Sequence, residues 1–237
     1  MPAVLFARPD SIYKTLPDCD VWDKDRDARN WPGGSSVIAH PPCRAWGRLR
    51  TFAKPEPDEK ELAVWSVGQV RRWGGVLEHP AGSLLWNEAG LPAPGKRDDF
   101  GGWTLWISQW WFGHRADKPT WLYIVGCEPA ELPSLPFRIG EPTHVIQSRK
   151  RSGSRPHVLK AEREHTPRDL AEWLLVVAKL IEAKRKEELA EFRPLGRDSL
   201  CPSGAAFVST MPAPSGFPRE AGCEKINCTR LLLCPLL

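Results

Sequence analysis

The amino-acid sequence predicts a three-layer α/β fold in which helices cover both faces of a mostly parallel β-sheet. Two observations predict it: short apolar segments with the length of buried strands recur along the chain, and a segment with helical character lies directly between two of them. The chain has 237 residues, of which 41% are hydrophobic and 26% are charged. Those values suit a folded domain with a sizeable core and exclude a mostly disordered chain.

The N-terminal region predicts two strands separated by a short helix. The segment AVLFA (3–7) is the first strand, and PDSIYKTL after it predicts a short helix with Asp10 or Ser11 as its N-cap. The segment CDVWD (19–23) is the second strand, and it ends in an acidic residue.

A strand–helix–strand unit comes next. SVIAH (36–40) has the composition of a buried strand, which must end at Pro41 because proline cannot donate a hydrogen bond to a β-ladder. The segment that begins at Asp58 has acids at its start and two glycines at its end, which is typical of a helix. VLEHP (76–80) predicts the next strand. The predicted apolar face of the helix consists of Leu62, Trp65, Val70 and Trp73.

The next part of the chain predicts further strands. GGWTLWISQWWFGH (101–114) is compatible with a strand or a helix, TWLYIVG (120–126) predicts a strand, and THVIQ (143–147) predicts a further one.

The last predicted element is a long helix that begins with Thr166 as N-cap and Pro167 at its first position. We therefore predict an α/β domain over residues 1–194. Residues 195–237 are rich in Ser, Pro, Gly and Cys, which predicts a disordered or loosely packed tail. The predicted apolar face of the long helix consists of Leu170, Trp173, Leu174, Val177 and Ile181.

Charge and cysteine content limit the classes of protein. The net charge of +4 is compatible with a polyanionic partner, and the 12 tryptophans could fill a core or stack on bases. Four of the seven cysteines lie in the last 37 residues, the other three are scattered, and no Cys-x-x-Cys pair occurs, so we predict neither a disulfide framework nor a metal site. No apolar run has the length of a membrane span, and the first residues lack a signal-peptide pattern; we therefore expect a cytoplasmic protein with no membrane partner.

Two predicted strands end in a reactive side chain next to proline. Cys43 follows the strand that ends at Pro41 and Pro42, and Glu78 lies near the end of VLEHP. In an open α/β sheet, ligands bind outside the carboxyl ends of the strands, so we expect both groups at one edge. A thiol and a carboxylate in that position can supply a nucleophile and a proton donor for addition to an electron-poor ring.

These segments resemble the DNA cytosine-5 methyltransferases. VIAHPPCRAWGRLR is similar to their nucleophile motif, GGVLEHPAGS to the motif that carries their glutamate, with His79 in place of the usual Asn, and QSRKR (147–151) to their Gln-x-Arg-x-Arg pattern. The resemblance covers roughly residues 3–180, and the short spacing is similar to that of small phage and prophage members. It implies a Rossmann-like sheet resembling a truncated class I S-adenosylmethionine-dependent methyltransferase.

The resemblance also implies a reaction. Cys43 would attack C6 of a flipped cytosine in DNA, Glu78 would hold N3, and Arg149 and Arg151 would contact the base or the phosphates. The methyl group would come from S-adenosylmethionine.

The resemblance implies further binding residues for the cofactor and for DNA. Asp23, at the end of the second strand, would bind the cofactor ribose, with Phe6 and Pro41 as further cofactor-binding residues. The loop LFARPDS, however, contains no glycine where the family has a glycine-rich loop. On the DNA side, Arg44, Arg48 and Arg50 would bind the backbone of the nucleic acid or lower the thiol pKa.

Two alternatives to a DNA methyltransferase stay open. A catalytically degenerate relative would bind nucleic acid without turnover, which the glycine-free loop favours. An enzyme that modifies a pyrimidine nucleotide would use the same Cys43 and Glu78 with a different one-carbon donor or with none.

Overall fold

A computed structural model describes residues 1–48, 50–146 and 155–191. Six strands form one sheet in the order β2-β1-β3-β4-β6-β5. β1 to β4 run parallel, and β6 runs antiparallel to β4 and β5. The predicted α/β class is therefore confirmed, with a mixed sheet that is parallel through its first four strands. The strands are β1 (Ala3–Leu5), β2 (Asp20–Trp22), β3 (Val37–Ala39), β4 (Gly75–Pro80), β5 (Trp103–Ser108) and β6 (Pro119–Val125).

Within the described ranges, four α-helices accompany the sheet: α1 (Glu59–Trp73), α2 (Leu85–Glu88), α3 (Lys160–Glu164) and α4 (Arg168–Glu191). The short helix predicted after β1 is a 3₁₀ helix (Ile12–Thr15), and Ser11 is its N-cap. Further 3₁₀ helices are Ala28–Asn30, Arg50–Phe52, Gln109–Phe112 and Pro129–Glu131.

The sheet is buried on both faces because its strands alternate between two cores. Val4, Ile38 and Val76 belong to one cluster with the buried face of α4, whereas Val37 and Leu77 belong to a second cluster with α1. This alternation places α1 and α4 on opposite faces, as the predicted three-layer arrangement requires. The face predicted for α4 is buried as expected.

The predicted face of α1 needs correction. Val70 is buried, but Leu62, Trp65 and Trp73 are only half-buried. The two indoles lie at the margins of the helix and cover neighbouring loops: Trp65 packs edge-on against Phe6 and Trp73 against Trp31. The residues that are fully buried in α1 are Glu59, Ala63, Ser66, Val67 and Val70.

The ambiguous segment 101–114 contains both kinds of element, since β5 is followed directly by the 3₁₀ helix Gln109–Phe112. The further strand predicted at 143–147 is wrong for the part that the structure describes, where His144 and Val145 form isolated bridges. The predicted tail, 195–237, lies outside the described residues. Within the described ranges, no helix is both long enough and apolar enough to cross a membrane.

Gly75, the first residue of β4, allows β3 and β4 to approach closely. Its φ is +137°, and a Cβ atom there would lie 2.0 Å from the carbonyl oxygen of Val37.

We expect Gly75→Ala to lower the free energy of unfolding by roughly 3 kcal/mol or more in urea titrations. The added methyl group would clash with β3, and alanine would be strained at this positive φ. Gly140→Ala is the control: φ is +113° and no heavy atom lies within 4 Å, so about 1 kcal/mol is expected. Equal losses would contradict the prediction.

Candidate active site

A cleft of about 1010 Å³ opens at the carboxyl edge of the four parallel strands. Its wall is formed by the segments that follow β1, β2 and β3, by the end of β4, and by residues at the starts of α1 and α4. β1 lies between β2 and β3. The chain therefore passes from β1 to β2 on one side and then returns past β1 to β3 on the other, so the strand order reverses at β1. Ligands of open α/β sheets bind at such a reversal.

The double proline places Cys43 in this cleft. β3 ends after Ala39, and the last ladder bond on this side joins the His40 amide to the Leu5 carbonyl at 3.0 Å. Pro41 and Pro42 then cannot extend the ladder. The Cys43 carbonyl accepts hydrogen bonds from the amides of Trp46 and Gly47, which closes a turn and leaves Cys43 exposed in the wall of the cleft.

Glu78 lies beside this loop because β3 and β4 are in parallel register, with Ala39 opposite Leu77. Its side chain is only 12% exposed. One carboxylate oxygen accepts from His40 Nδ1 at 3.0 Å, and the other accepts from Gln109 Nε2 at 2.9 Å. The carboxylate is therefore oriented from both sides.

Tyr13 completes a chain of hydrogen bonds that runs from the β1–β2 connection to Glu78. Its hydroxyl lies 3.1 Å from His40 Nε2, and its side chain is buried. Burial and the charge of Glu78 raise the pKa of Tyr13 well above its usual value, so the phenol keeps its proton. Because an ionised carboxylate only accepts hydrogen bonds, His40 Nδ1 carries the hydrogen in its contact with Glu78.

Glu78 is ionised at neutral pH. Burial alone would raise its pKa, but the hydrogen bond from His40 and the positive charge of Lys118 outweigh burial and hold the pKa at about 2. A carboxylate in that state accepts hydrogen bonds and donates none, so it selects the donor edge of a ligand.

His79 is fully buried beside the cleft, and neither ring nitrogen has a hydrogen-bond partner among the described residues. Burial lowers its pKa to about 4, against the opposing effects of the Glu78 charge and the nearby Pro42 carbonyl. At neutral pH the ring is therefore uncharged.

The Cys43 thiol is a weak acid in this surrounding. Burial of the thiol in the cleft wall raises its pKa although the residue as a whole is exposed, and the charge of Glu78 raises it further. Lys118 acts in the opposite direction. The charges of Glu78 and Lys118 thus act on the thiol in opposite directions, and the cation favours the thiolate.

The three residues predicted to bind a cofactor all line the cleft. Phe6 leaves β1 with φ of +59°, a left-handed conformation that glycine usually adopts. Pro41 is buried in the wall. Asp23 is buried as well, and its oxygens accept from Lys14 and from the amides of Asp25 and Arg26, so its first role is to hold its own turn.

The arginines predicted to contact nucleic acid do not all lie in the cleft. Arg44 lines the cleft but pairs with Glu59, whereas Arg48 and Arg50 are exposed and lie outside the cleft lining. Arg149 and Arg151 lie outside the described residues, so their predicted catalytic role stays a prediction.

Two important side chains were not predicted from the sequence. Gln109 reaches Glu78 from the 3₁₀ helix after β5, and Lys118 enters the cleft from the connection before β6. The register of a hairpin was needed to find them, and the only available signal was the polar pair Asp117 and Lys118 ahead of an apolar strand.

Comparisons with protein-family models, with curated proteins and with solved structures find no match for this chain. In the parts of the chain that the structure describes, no group of three or more His, Cys, Asp or Glu residues is placed to hold a metal ion.

The low pKa of His79 predicts a pH-dependent stability. Between its ordinary value of 6.5 and about 4, the unfolded chain takes up a proton that the folded protein excludes. The free energy of unfolding should therefore fall by roughly 2–4 kcal/mol as the pH drops through this window. In urea titrations at pH 7.0, 5.5 and 4.5, His79→Asn should lose much less stability than the wild type.

The lowered pKa of Glu78 acts in a separate window, since its stabilising effect is lost as the pH falls from 4.5 toward 2. That second loss should persist in His79→Asn. His144→Asn, at a position that is not fully buried, should keep the wild-type pH profile. Parallel curves for the wild type and His79→Asn above pH 4.5 would show that His79 is not the group responsible.

Proposed function

We propose that this protein is a small DNA cytosine-5 methyltransferase-like enzyme in which Cys43 attacks C6 of cytosine. The observation that supports the proposal best is the position of Cys43 and the oriented carboxylate of Glu78 in one cleft at the carboxyl edge of the sheet. The mostly parallel α/β sheet is of the class that the resemblance to these enzymes implies.

The ionised Glu78 defines how the base is held. A carboxylate that accepts from His40 and Gln109 has a remaining lone pair on each oxygen. The edge of cytosine that bears the amino group and a protonated N3 presents two donors to it. Protonation at N3 withdraws electrons from C6, which favours attack by sulfur.

Cys43 supplies the covalent step. The thiolate forms a bond to C6, the electrons of the C5–C6 double bond move toward C5, and Glu78 stabilises the positive charge at N3. After C5 has been substituted, loss of the C5 proton and elimination of Cys43 restore the aromatic ring. Entry of the base into a cleft of this kind requires that it leave the DNA stack.

We propose that S-adenosylmethionine would bind at the end of the cleft near β1 and β2. Asp27 and Asp10 provide carboxylates for an ammonium group and hydroxyls, Arg29 provides a guanidinium for a carboxylate, and Phe6 provides the left-handed turn without glycine. S-adenosylmethionine, when bound, would supply the methyl group to C5. Each of these charged groups already has a partner in the chain, so binding would share or replace those contacts.

The existing ion pairs of these charged groups favour a second candidate function, binding of nucleic acid without catalysis. A relative that binds nucleic acid without turnover would keep Cys43 and Glu78 in place and leave the acids near β1 and β2 bound to their own arginines and lysine, as Asp23 is to Lys14. The two functions differ in whether S-adenosylmethionine binds.

Trapping on DNA that contains 5-fluorocytosine tests the enzyme, because fluorine at C5 prevents the final proton loss. With S-adenosylmethionine, the wild type should form a covalent adduct that Cys43→Ala abolishes and that Glu78→Gln slows by about 10²–10⁴-fold. Cys127→Ala is the matched control, since Cys127 is buried and follows β6 at the opposite edge of the sheet.

A titration with S-adenosylmethionine completes the experiment. Binding together with an adduct on DNA supports the methyltransferase. Retention of DNA with neither binding nor an adduct would reject it in favour of the binding protein. An adduct with free 5-fluoro nucleotide, but none with DNA, would instead identify a pyrimidine-nucleotide enzyme.

A further inference from the structure

Lys118 is a cation held in the cleft from both of its ends. Its carbonyl accepts hydrogen bonds from the Gln109 amide at 3.1 Å and from the Thr120 hydroxyl at 3.1 Å. Its Nζ donates to the His165 carbonyl at 3.3 Å, and the side chain lines the same cleft as Cys43 and Glu78. A long, flexible side chain fixed in this way has lost much of its rotamer freedom, which a solvent-exposed lysine would retain.

The surroundings of the Cys43 thiol oppose its ionisation, so a nearby cation is needed to favour the thiolate. Glu78 and Glu164 both oppose ionisation of Cys43, and burial does so as well. Arg44, the next residue, is paired with Glu59. Other titratable or charged groups also line the cleft: His40 after β3, His79 in β4, Lys160 and Arg163 in α3, His165 and Arg168 near the start of α4, Arg8 and Asp10 after β1, Asp23, Lys24, Asp27 and Arg29 after β2, and Glu56 and Asp58 before α1.

The charge of Lys118 and the charges of Glu78 and of the Cys43 thiolate affect one another. Burial lowers the pKa of Lys118, whereas the charges of Glu78, of the Cys43 thiolate and of Glu164 raise it. Lys118 in turn lowers the pKa of Cys43 and that of Glu78. The three side chains line one cleft, and there the positive charge of Lys118 favours the ionised form of both other groups.

We propose that Lys118 is the positioning residue that makes ionisation of the Cys43 thiol easier beside the ionised Glu78. The thiol proton passes to solvent, the sulfur keeps the electron pair, and Lys118 stays an ammonium that forms no covalent bond. The identity of the electrophile rests on the proposed function, but the activation of the thiol needs neither DNA nor S-adenosylmethionine.

Alkylation of the full-length protein by iodoacetamide tests this activation directly. The rate at Cys43 is measured by peptide-resolved mass spectrometry between pH 6 and 11. We expect Lys118→Met to slow alkylation of Cys43 about tenfold at pH 7.5 and to move the pH midpoint upward by about one unit. Lys118→Arg should restore most of the rate, because it restores the charge.

The controls separate a charge effect from a loss of structure. Lys24→Met removes an exposed lysine at the other end of the cleft and should leave the rate unchanged. The buried Cys127 reports on unfolding, since faster labelling there would mean that the fold has opened. If Lys118→Met fails to fold, the same test is made in a Glu78→Gln background, which has no unpaired carboxylate. Alkylation of Cys43 should then be slower in Glu78→Gln/Lys118→Met than in Glu78→Gln.

Unchanged rate and midpoint in a folded Lys118→Met variant would overturn the proposal, as would Lys118→Arg behaving like Lys118→Met. The outcome is independent of the methyltransferase test. If Lys118 affects alkylation of Cys43 but no adduct forms on DNA, the proposed function is rejected and the role of Lys118 is retained. If an adduct forms on DNA but Lys118 has no effect on alkylation, the role of Lys118 is rejected and the proposed function is retained.

Discussion

The carboxylate of Glu78 is the constraint on which the rest of the site depends. A charge that is only 12% exposed loses most of its hydration, and a chain keeps such a charge only if other groups replace the water. His40 and Gln109 do so through hydrogen bonds, and Lys118 does so through its charge; they come from two connections, the one after β3 and the one between β5 and β6. The arrangement of β3, β4, β5 and β6 is thus coupled to the ionisation of one side chain.

The strands bring the two reactive groups together through close contact between β3 and β4. The glycine at the start of β4 lets these strands pair in a register that places the loop after β3 beside Glu78. The prolines after β3 then turn the chain so that the thiol lies in the wall of the cleft. Backbone geometry therefore places Cys43 and Glu78 in the same cleft.

Local patterns were sufficient to predict the parallel strands, the two long helices and the positions of Cys43 and Glu78. They failed where the outcome depends on partners distant in the chain. Trp65 and Trp73 have the spacing of a core face, yet they cover loops at the margins of α1. Gln109 and Lys118 belong to a hairpin whose register has no local signal, so their meeting with Glu78 could not be read from spacing alone.

The hydrogen-bonded chain from Tyr13 through His40 to Glu78 links the two ends of the cleft. Tyr13 belongs to the connection that leaves β1, beside the charged groups to which the proposed function assigns the cofactor, whereas the proposed function assigns the base to Glu78. A ligand that shifts Tyr13 also changes the orientation of the carboxylate. By thermodynamic linkage, occupancy at one end must then alter affinity at the other by the same factor in both directions.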